Sequence, residues 1–267
     1  MNGHAVPFGI DTFGRSVTFD PTAGHTIVSG ATRSGKSATS YAVISQVARD
    51  DAVQIVGIDP TGILLTPHAN PERAYQFALS TSPGDIELAL EILRMVEREM
   101  DSRNRRLSKI GLDKVPGDWL SERFPALLLV LEEYAGLLAA VDPKTQRPEI
   151  VRIVGRVLRE GAKASVHVFT ILQRPEAAVL HDRAQYSRRI THRLDNGDSV
   201  RMVLESATPE QVTELMNVPP GHGLVHLAGD PIRRFATRYL DYADYHAHVS
   251  AASAGRSALP LLKGGTP

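Results

Sequence analysis

Eight residues near the start of the chain, Gly30-Ala31-Thr32-Arg33-Ser34-Gly35-Lys36-Ser37, set two glycines, a lysine and a hydroxyl at fixed offsets. The apolar run His25-Thr26-Ile27-Val28-Ser29 precedes them and a helical pattern from Ala38 to Ala48 follows. A strand, a glycine loop and a helix in that order point several backbone N–H groups and a helix N-terminus at one small volume, which suits a polyphosphate. Gly30 and Gly35 allow backbone angles and close approach that a Cβ obstructs. Lys36 has the reach for β and γ phosphates, and the Ser37 hydroxyl is a Mg²⁺ ligand by type. The expected ligand is ATP with Mg²⁺, bound by Gly30, Ala31, Thr32, Arg33, Ser34, Gly35, Lys36, Ser37 and Ala38. The competing reading, a chance Gly-Lys-Ser turn, does not account for the flanking strand and helix.

Turnover of a triphosphate also needs a metal anchor and a group that positions water. Glu132 and Glu133 end the most continuous apolar stretch, Ala126 to Leu131, at the carboxyl end of a strand, where ligands of open α/β sheets collect. Glu132 is therefore assigned with Ser37 to the metal and Glu133 to the water. An acidic helix start, favoured by the helix dipole, is the alternative. A further strand, Val166 to Leu172, ends in Gln173-Arg174-Pro175, and Gln173 there can sense the γ phosphate.

The elements that must position these groups are legible in outline. Residues 5–19 read as two short strands around Asp11-Thr12-Phe13-Gly14, a hairpin lid ahead of the loop strand. Val53 to Ile58 reads as a buried strand. Ala89, Leu93, Val96 and Met100 recur at helical spacing in a helix from about Asp85 to Ser108. Another helix spans about Pro148 to Ala162. Strand and helix alternate, so the expected class is α/β with a mainly parallel central sheet flanked by helices and an N-terminal β-hairpin. Residues 1–250 form the expected domain, with 1–24 its hairpin region, and 251–267, rich in Ala, Ser and Gly, the expected flexible tail.

The chain has 267 residues and formal net charge zero. A nucleic acid would thus be held by a local cluster, not by a globally basic surface. Cysteine is absent, which excludes disulfides, thiolate metal sites and a cysteine nucleophile. No apolar run approaches the roughly 20 residues of a membrane span, and nothing at the N-terminus reads as a signal peptide, so the expected location is cytoplasmic.

These motifs, in this order, resemble the motor domain of the FtsK/SpoIIIE DNA translocases, within the RecA-like, HerA-related P-loop ATPases. The resemblance runs from about Val6 to Tyr239. It takes in Pro7-Phe8-Gly9-Ile10-Asp11, the loop from Gly30 to Ser37, Ile58-Asp59-Pro60, Glu99-Met100-Asp101, Val130 to Tyr134, His167 to Pro175, Asp198-Ser199-Val200-Arg201 and Gly221-His222-Gly223. The Gln-Arg-Pro and Asp-Ser-x-Arg elements are the more specific ones. The chain departs from the family in having Glu132-Glu133 where Asp-Glu is typical, and Gly161-Ala162-Lys163 where Gly-Arg is common. Neither the membrane-spanning N-terminal region nor the C-terminal winged helix of full-length chromosome translocases is found, so directional reading of chromosomal sequence is not expected.

The resemblance implies an ATP-driven double-stranded DNA translocase acting as a hexameric homo-oligomeric ring in plasmid transfer or phage DNA handling. It has no transmembrane segment of its own and would depend on a membrane or transfer-complex partner for any anchoring. A type VII secretion-like protein-export ATPase and a nucleotide-binding scaffold without turnover are the alternatives. Arg152, Arg156, Arg159 and Lys163 form one helical stripe by spacing, which reads either as a solvated face or, given the resemblance, as the source of an arginine finger for the neighbouring subunit. Arg159 is the first choice and Arg156 the second. By the same resemblance Arg174, Arg183, Arg188 and Arg189 belong to a segment facing the DNA in the ring channel. Ion pairing of Arg189 and Arg193 with Asp195 or Asp198 is the competing reading.

Overall fold

The computed structural model describes residues 3–176, 182–227 and 229–256. Its strands are β1 (Val6–Asp11), β2 (Ser16–Phe19), β3 (Thr26–Ser29), β4 (Val53–Ile58), β5 (Phe77–Ala78), β6 (Ala126–Leu131), β7 (Val166–Leu172), β8 (Arg188–His192), β9 (His222–Leu227) and β10 (Arg233–Thr237). The helices are α1 (Lys36–Val47), α2 (Pro83–Lys109), α3 (Tyr134–Ala140), α4 (Gln146–Glu160), α5 (Gly197–Val203), α6 (Pro209–Leu215) and α7 (Tyr242–Ser253). All ten strands join one sheet in the order β2-β1-β10-β9-β8-β3-β7-β6-β4-β5. From β8 to β5 neighbours run parallel, and from β8 to β2 they run antiparallel. The fold is the mainly parallel α/β sheet expected of a RecA-like P-loop NTPase.

Two faces of that sheet bury two apolar layers. On β6, Leu127, Leu129 and Leu131 pack with Leu93, Val96 and Met100 of α2 and with Ile153 and Val157 of α4. Ala126, Leu128 and Val130 point the other way, into a layer with Val43, Ile44 and Val47 of α1 and Tyr245 and Val249 of α7. A strand covered on both sides has no polar face to show, which is why its sequence is continuously apolar. Helix α2 starts where Ser82 accepts from the Asp85 N–H, with Pro83 in the first turn, and carries Arg106 and Lys109 in its last turn, where positive charge complements the dipole. Its Arg103 is buried, pairing with Glu99 at 2.6 Å and donating to the carbonyls of Ala164 and Pro125 at 3.1 and 2.9 Å.

Two expectations change. The N-terminal hairpin is not a lid over the loop. β1 pairs with β10 as well as β2, so the hairpin extends the sheet at its edge, and Phe8, Val17 and Phe19 enter the α1 layer. The expected tail from Ala251 begins inside α7, which runs to Ser253, and Arg256 donates to the Val53 carbonyl at 2.8 Å. Residues 257–267 lie outside the described residues.

Acid should unfold this protein early. His25, His68, His167 and His192 are buried, and desolvation pushes His25 and His192 down to about 4 and His68 and His167 down to about 3. Their folded values lie below the unfolded value near 6.5, so the stability they contribute is present above that pH and is lost as pH falls toward 4. Each costs stability as pH falls below roughly 6.5, because there the unfolded chain takes up a proton that the folded one does not. Thermal unfolding measured from neutral pH downward should show Tm falling steeply from that point; a flat profile down to about pH 5 contradicts the burial argument.

Candidate functional site

Strand order gathers the site. In the sequence β4-β6-β7-β3-β8, the residues that follow each carboxyl end are Asp59, Glu132, Gln173, Gly30 and Arg193, side by side along one edge. This is the edge at which parallel sheets place ligands. β7 lies between the loop strand β3 and the acidic strand β6, paired in parallel with both.

The loop is shaped by what touches it. Gly35 has φ +118°, and a Cβ there would stand 2.6 Å from the Gly221 nitrogen. A Cβ on Gly30 would meet the His192 Cβ at 2.7 Å. The Gly221 N–H donates to the Ser34 carbonyl at 2.8 Å, so the Gly221-His222-Gly223 motif packs its backbone on the loop. Behind them His192 is fixed between two partners, the His222 carbonyl at 3.0 Å from Nδ1 and the Thr39 hydroxyl at 2.8 Å from Nε2. Nδ1 must be the donor to a carbonyl, so Nε2 accepts from Thr39. Gly35→Ala should cost about 2 kcal/mol or more through strain and the Gly221 clash. Denaturant unfolding checks this, and an unchanged midpoint would show that the loop tolerates a Cβ.

Lys36 bends back on its own loop, donating to the carbonyls of Gly30 and of Ala31, the latter at 3.2 Å. Desolvation lowers its pKa, while the carboxylates of Glu133, Glu132 and Asp195 oppose that shift. Gln173 Nε2 donates to the Thr32 hydroxyl, so the side chain at the end of β7 reaches the loop.

Glu132 is pushed up to about 8, first by burial, then by the neighbouring Asp59 carboxylate, with Lys36 pulling the other way. Its Oε2 is buried and, among the described residues, has no hydrogen-bond partner. Asp59, wholly buried, accepts from the backbone N–H groups of Thr61, Gly62 and Leu65 and from the Thr61 hydroxyl. The sequence alone gives Asp59 no role, because its proximity to Glu132 arises only from the pairing of β4 with β6. Glu133 precedes α3 in the left-handed region, at φ 45° and ψ 52°, and burial raises its pKa against the pull of Lys36. A non-glycine residue held there is strained, a feature that clusters at functional sites.

The arginines divide. Arg156 bonds Glu97, Asp101 and Glu160, and Arg152 bonds Glu97, so two members of the α4 stripe tie it to α2. Arg159 is half exposed and bonds Asp182 at 2.8 Å. Arg188 donates to the Asp20 carbonyl at 2.7 Å, and Arg189 to the carbonyls of Tyr186 and Val203 at 3.0 and 2.8 Å. These two guanidinium groups turn to the protein's own backbone. Arg174 and Arg183 stay exposed, 3.5 Å from Asp195 and 3.3 Å from Glu205. Arg189 lies nearest Glu205 at 3.8 Å, not Asp195 or Asp198.

The model of the FtsK/SpoIIIE family matches residues 4–117. The resemblance is to the FtsK/SpoIIIE family. A DNA translocase FtsK 2 of Ralstonia nicotianae is 25% identical over 246 residues, covering 81% of this chain and 31% of the relative. A DNA translocase FtsK of Streptococcus agalactiae is 26% identical over 225 residues, covering 78% of this chain and 26% of the relative. The chain thus spans about a third or less of these relatives. Among solved structures, the pCW3 conjugation coupling protein TcpA, determined with ATPγS, superposes with TM-score 0.75 at 21% identity, covering 95% of this chain and 71% of that one. The cytoplasmic domain of the type VII secretion ATPase EccC of Thermomonospora curvata gives TM-score 0.71 at 24% identity, covering 100% of this chain and 32% of that one. Both likenesses establish the fold. No helix among the described residues is long and apolar enough to cross a membrane.

Proposed function

We propose that this chain is an ATP-driven translocase of double-stranded DNA that works as a homo-oligomeric ring, with six subunits, in plasmid transfer or phage DNA handling. The observation that carries the reading is the Glu132-Glu133 pair at the carboxyl end of β6, one strand removed from a loop whose lysine senses both carboxylates. The family match and the DNA translocases among its relatives support DNA as the substrate. The ATPγS complex of TcpA supports ATP.

In this reading the loop N–H groups and Lys36 hold the β and γ phosphates, and the lysine exchanges its loop carbonyls for phosphate oxygens. Magnesium would supply charge neutralisation between the phosphates. The unpartnered Oε2 of Glu132 and the Ser37 hydroxyl fit it as ligands, and among the described residues no group of three or more His, Cys, Asp and Glu side chains offers a fuller cage. Glu133 orients and deprotonates the attacking water. Gln173 reports the γ phosphate to Thr32, and Arg159 completes the site of the adjacent subunit once it leaves Asp182. Arg156 is the weaker candidate, because leaving α2 would break its contacts with Glu97 and Asp101.

Arg174 and Arg183 are the proposed DNA contacts. Arg188 and Arg189 would have to give up backbone carbonyls to join them, which makes their contribution small. Contacts of this kind read phosphate and not sequence, as a motor on arbitrary DNA requires. Duplex binding should therefore weaken by on the order of 100-fold between about 50 and 200 mM salt, several phosphates being engaged per ring. Mass measurement with ATPγS and duplex should give a ring, and a monomer under every condition would overturn the translocase reading. The fold of EccC and the inward turn of Arg188 and Arg189 favour protein export as the second reading, for which duplex binding should be absent.

A further inference from the structure

A cleft opens over the second half of the loop. It encloses about 310 Å³ and is lined by residues 33–38 on one side of the chain and by Pro220, Gly221 and Tyr239 from its distant end. Lys36 and Ser37 line it, whereas Glu132, Glu133 and Gln173 do not. Tyr239 is 79% exposed, and among the described residues no aromatic ring packs on it.

Its backbone is nonetheless held firmly against the nucleotide loop. Two residues earlier, the Thr237 N–H donates to the Gly221 carbonyl at 2.7 Å, and Gly221 is itself bonded to Ser34. The Thr237 hydroxyl meets the Thr39 hydroxyl of α1 at 2.5 Å, and the Arg238 N–H donates to the Phe8 carbonyl at 2.8 Å. A rigidly mounted, solvent-exposed aromatic face beside a triphosphate cradle, with a proline on the same cleft, is the chemistry that binds a nucleobase by stacking.

We propose that Tyr239, with Pro220, is the platform on which the base of the bound nucleotide stacks. The inference rests on the nucleotide reading of the loop and adds the part of the ligand that the loop does not touch.

Titration calorimetry on the full chain separates the two, using Mg–ATPγS and, as a ligand with phosphates but no base, magnesium tripolyphosphate. Tyr239→Ala should weaken ATPγS about 10-fold or more and leave tripolyphosphate unchanged, since a stacked base contributes that much. Tyr239→Phe, which keeps the ring, should bind ATPγS like the wild type. Because the side chain is exposed, neither change should alter Tm. Unchanged ATPγS affinity in Tyr239→Ala overturns the proposal, as does an equal loss of both ligands. Unchanged affinity with loss of ATP-dependent assembly would give this face to a second copy of the chain. Were the wild type to bind neither ligand, the nucleotide assignment would fall and the base platform with it.

Discussion

Glu133→Gln should bind Mg–ATP as the wild type does and release phosphate about 100-fold more slowly or worse, the usual consequence of removing a group that takes a proton from water. The substitution keeps shape and hydrogen-bonding reach but discards the charge. Glu133 stands outside the cleft lining, in a strained left-handed conformation directly after Glu132, so the substitution should leave the backbone of the phosphate cradle in place. Rapid-quench measurement of one turnover, beside equilibrium binding, tests both halves of the expectation. Normal hydrolysis by the variant would show that another group positions the water.

Lys36→Ala should act earlier, on binding. Its ammonium is one of two cations on the loop, beside Arg33, and it is the one that bonds the loop carbonyls. Two charge-assisted hydrogen bonds to phosphate, at about 1.5 to 3 kcal/mol each, correspond to a loss of affinity on the order of 100-fold or more. The fold should survive, because the Gly30 and Ala31 carbonyls can turn to water at the open cleft. A variant that keeps wild-type affinity for Mg–ATP would remove the lysine from the phosphate site.

The elements buried on both faces were the legible ones. β4, β6 and β7 match the sequence reading to the residue because a fully covered parallel strand is written in one unbroken apolar run. The three helices read from the sequence, α1, α2 and α4, matched to within about two residues at each end, with Ser82 and Pro83 marking a start two residues earlier than periodicity suggested. β8 escaped notice for a physical reason. Its sequence, Arg-Arg-Ile-Thr-His, is polar, yet the arginines cap carbonyls while Thr191 and His192 are buried within the hydrogen-bonded interior. Its residues alone carry no strand pattern, and only the family resemblance gives its arginines a role, in a channel-facing segment.

Non-local pairing was the other gap. Local pattern fixed the β1–β2 hairpin and its turn, but only the pairing of β1 with β10, more than two hundred residues away in sequence, places it at the sheet edge instead of over the loop. The same holds within the site. The loop and the acidic pair were visible as strand ends, whereas the Asp59 carboxylate beside Glu132, the Gly221 backbone on Gly35 and the aromatic face of Tyr239 exist only once distant strands are joined. The α4 stripe illustrates the limit of periodicity. Spacing put Arg152 and Arg156 on one face of α4, but Lys163 falls beyond the helix end, and the acidic residues of α2 that neutralise Arg152 and Arg156 came from an element that spacing cannot bring near.

The central claim is that hydrolysis at this loop is coupled to DNA. Phosphate release by the wild-type chain, measured at low salt with and without long duplex DNA, tests it most directly. The account expects release to rise several-fold on adding duplex and that rise to vanish in Glu133→Gln; a rate indifferent to duplex, at protein concentrations where rings form, would contradict it.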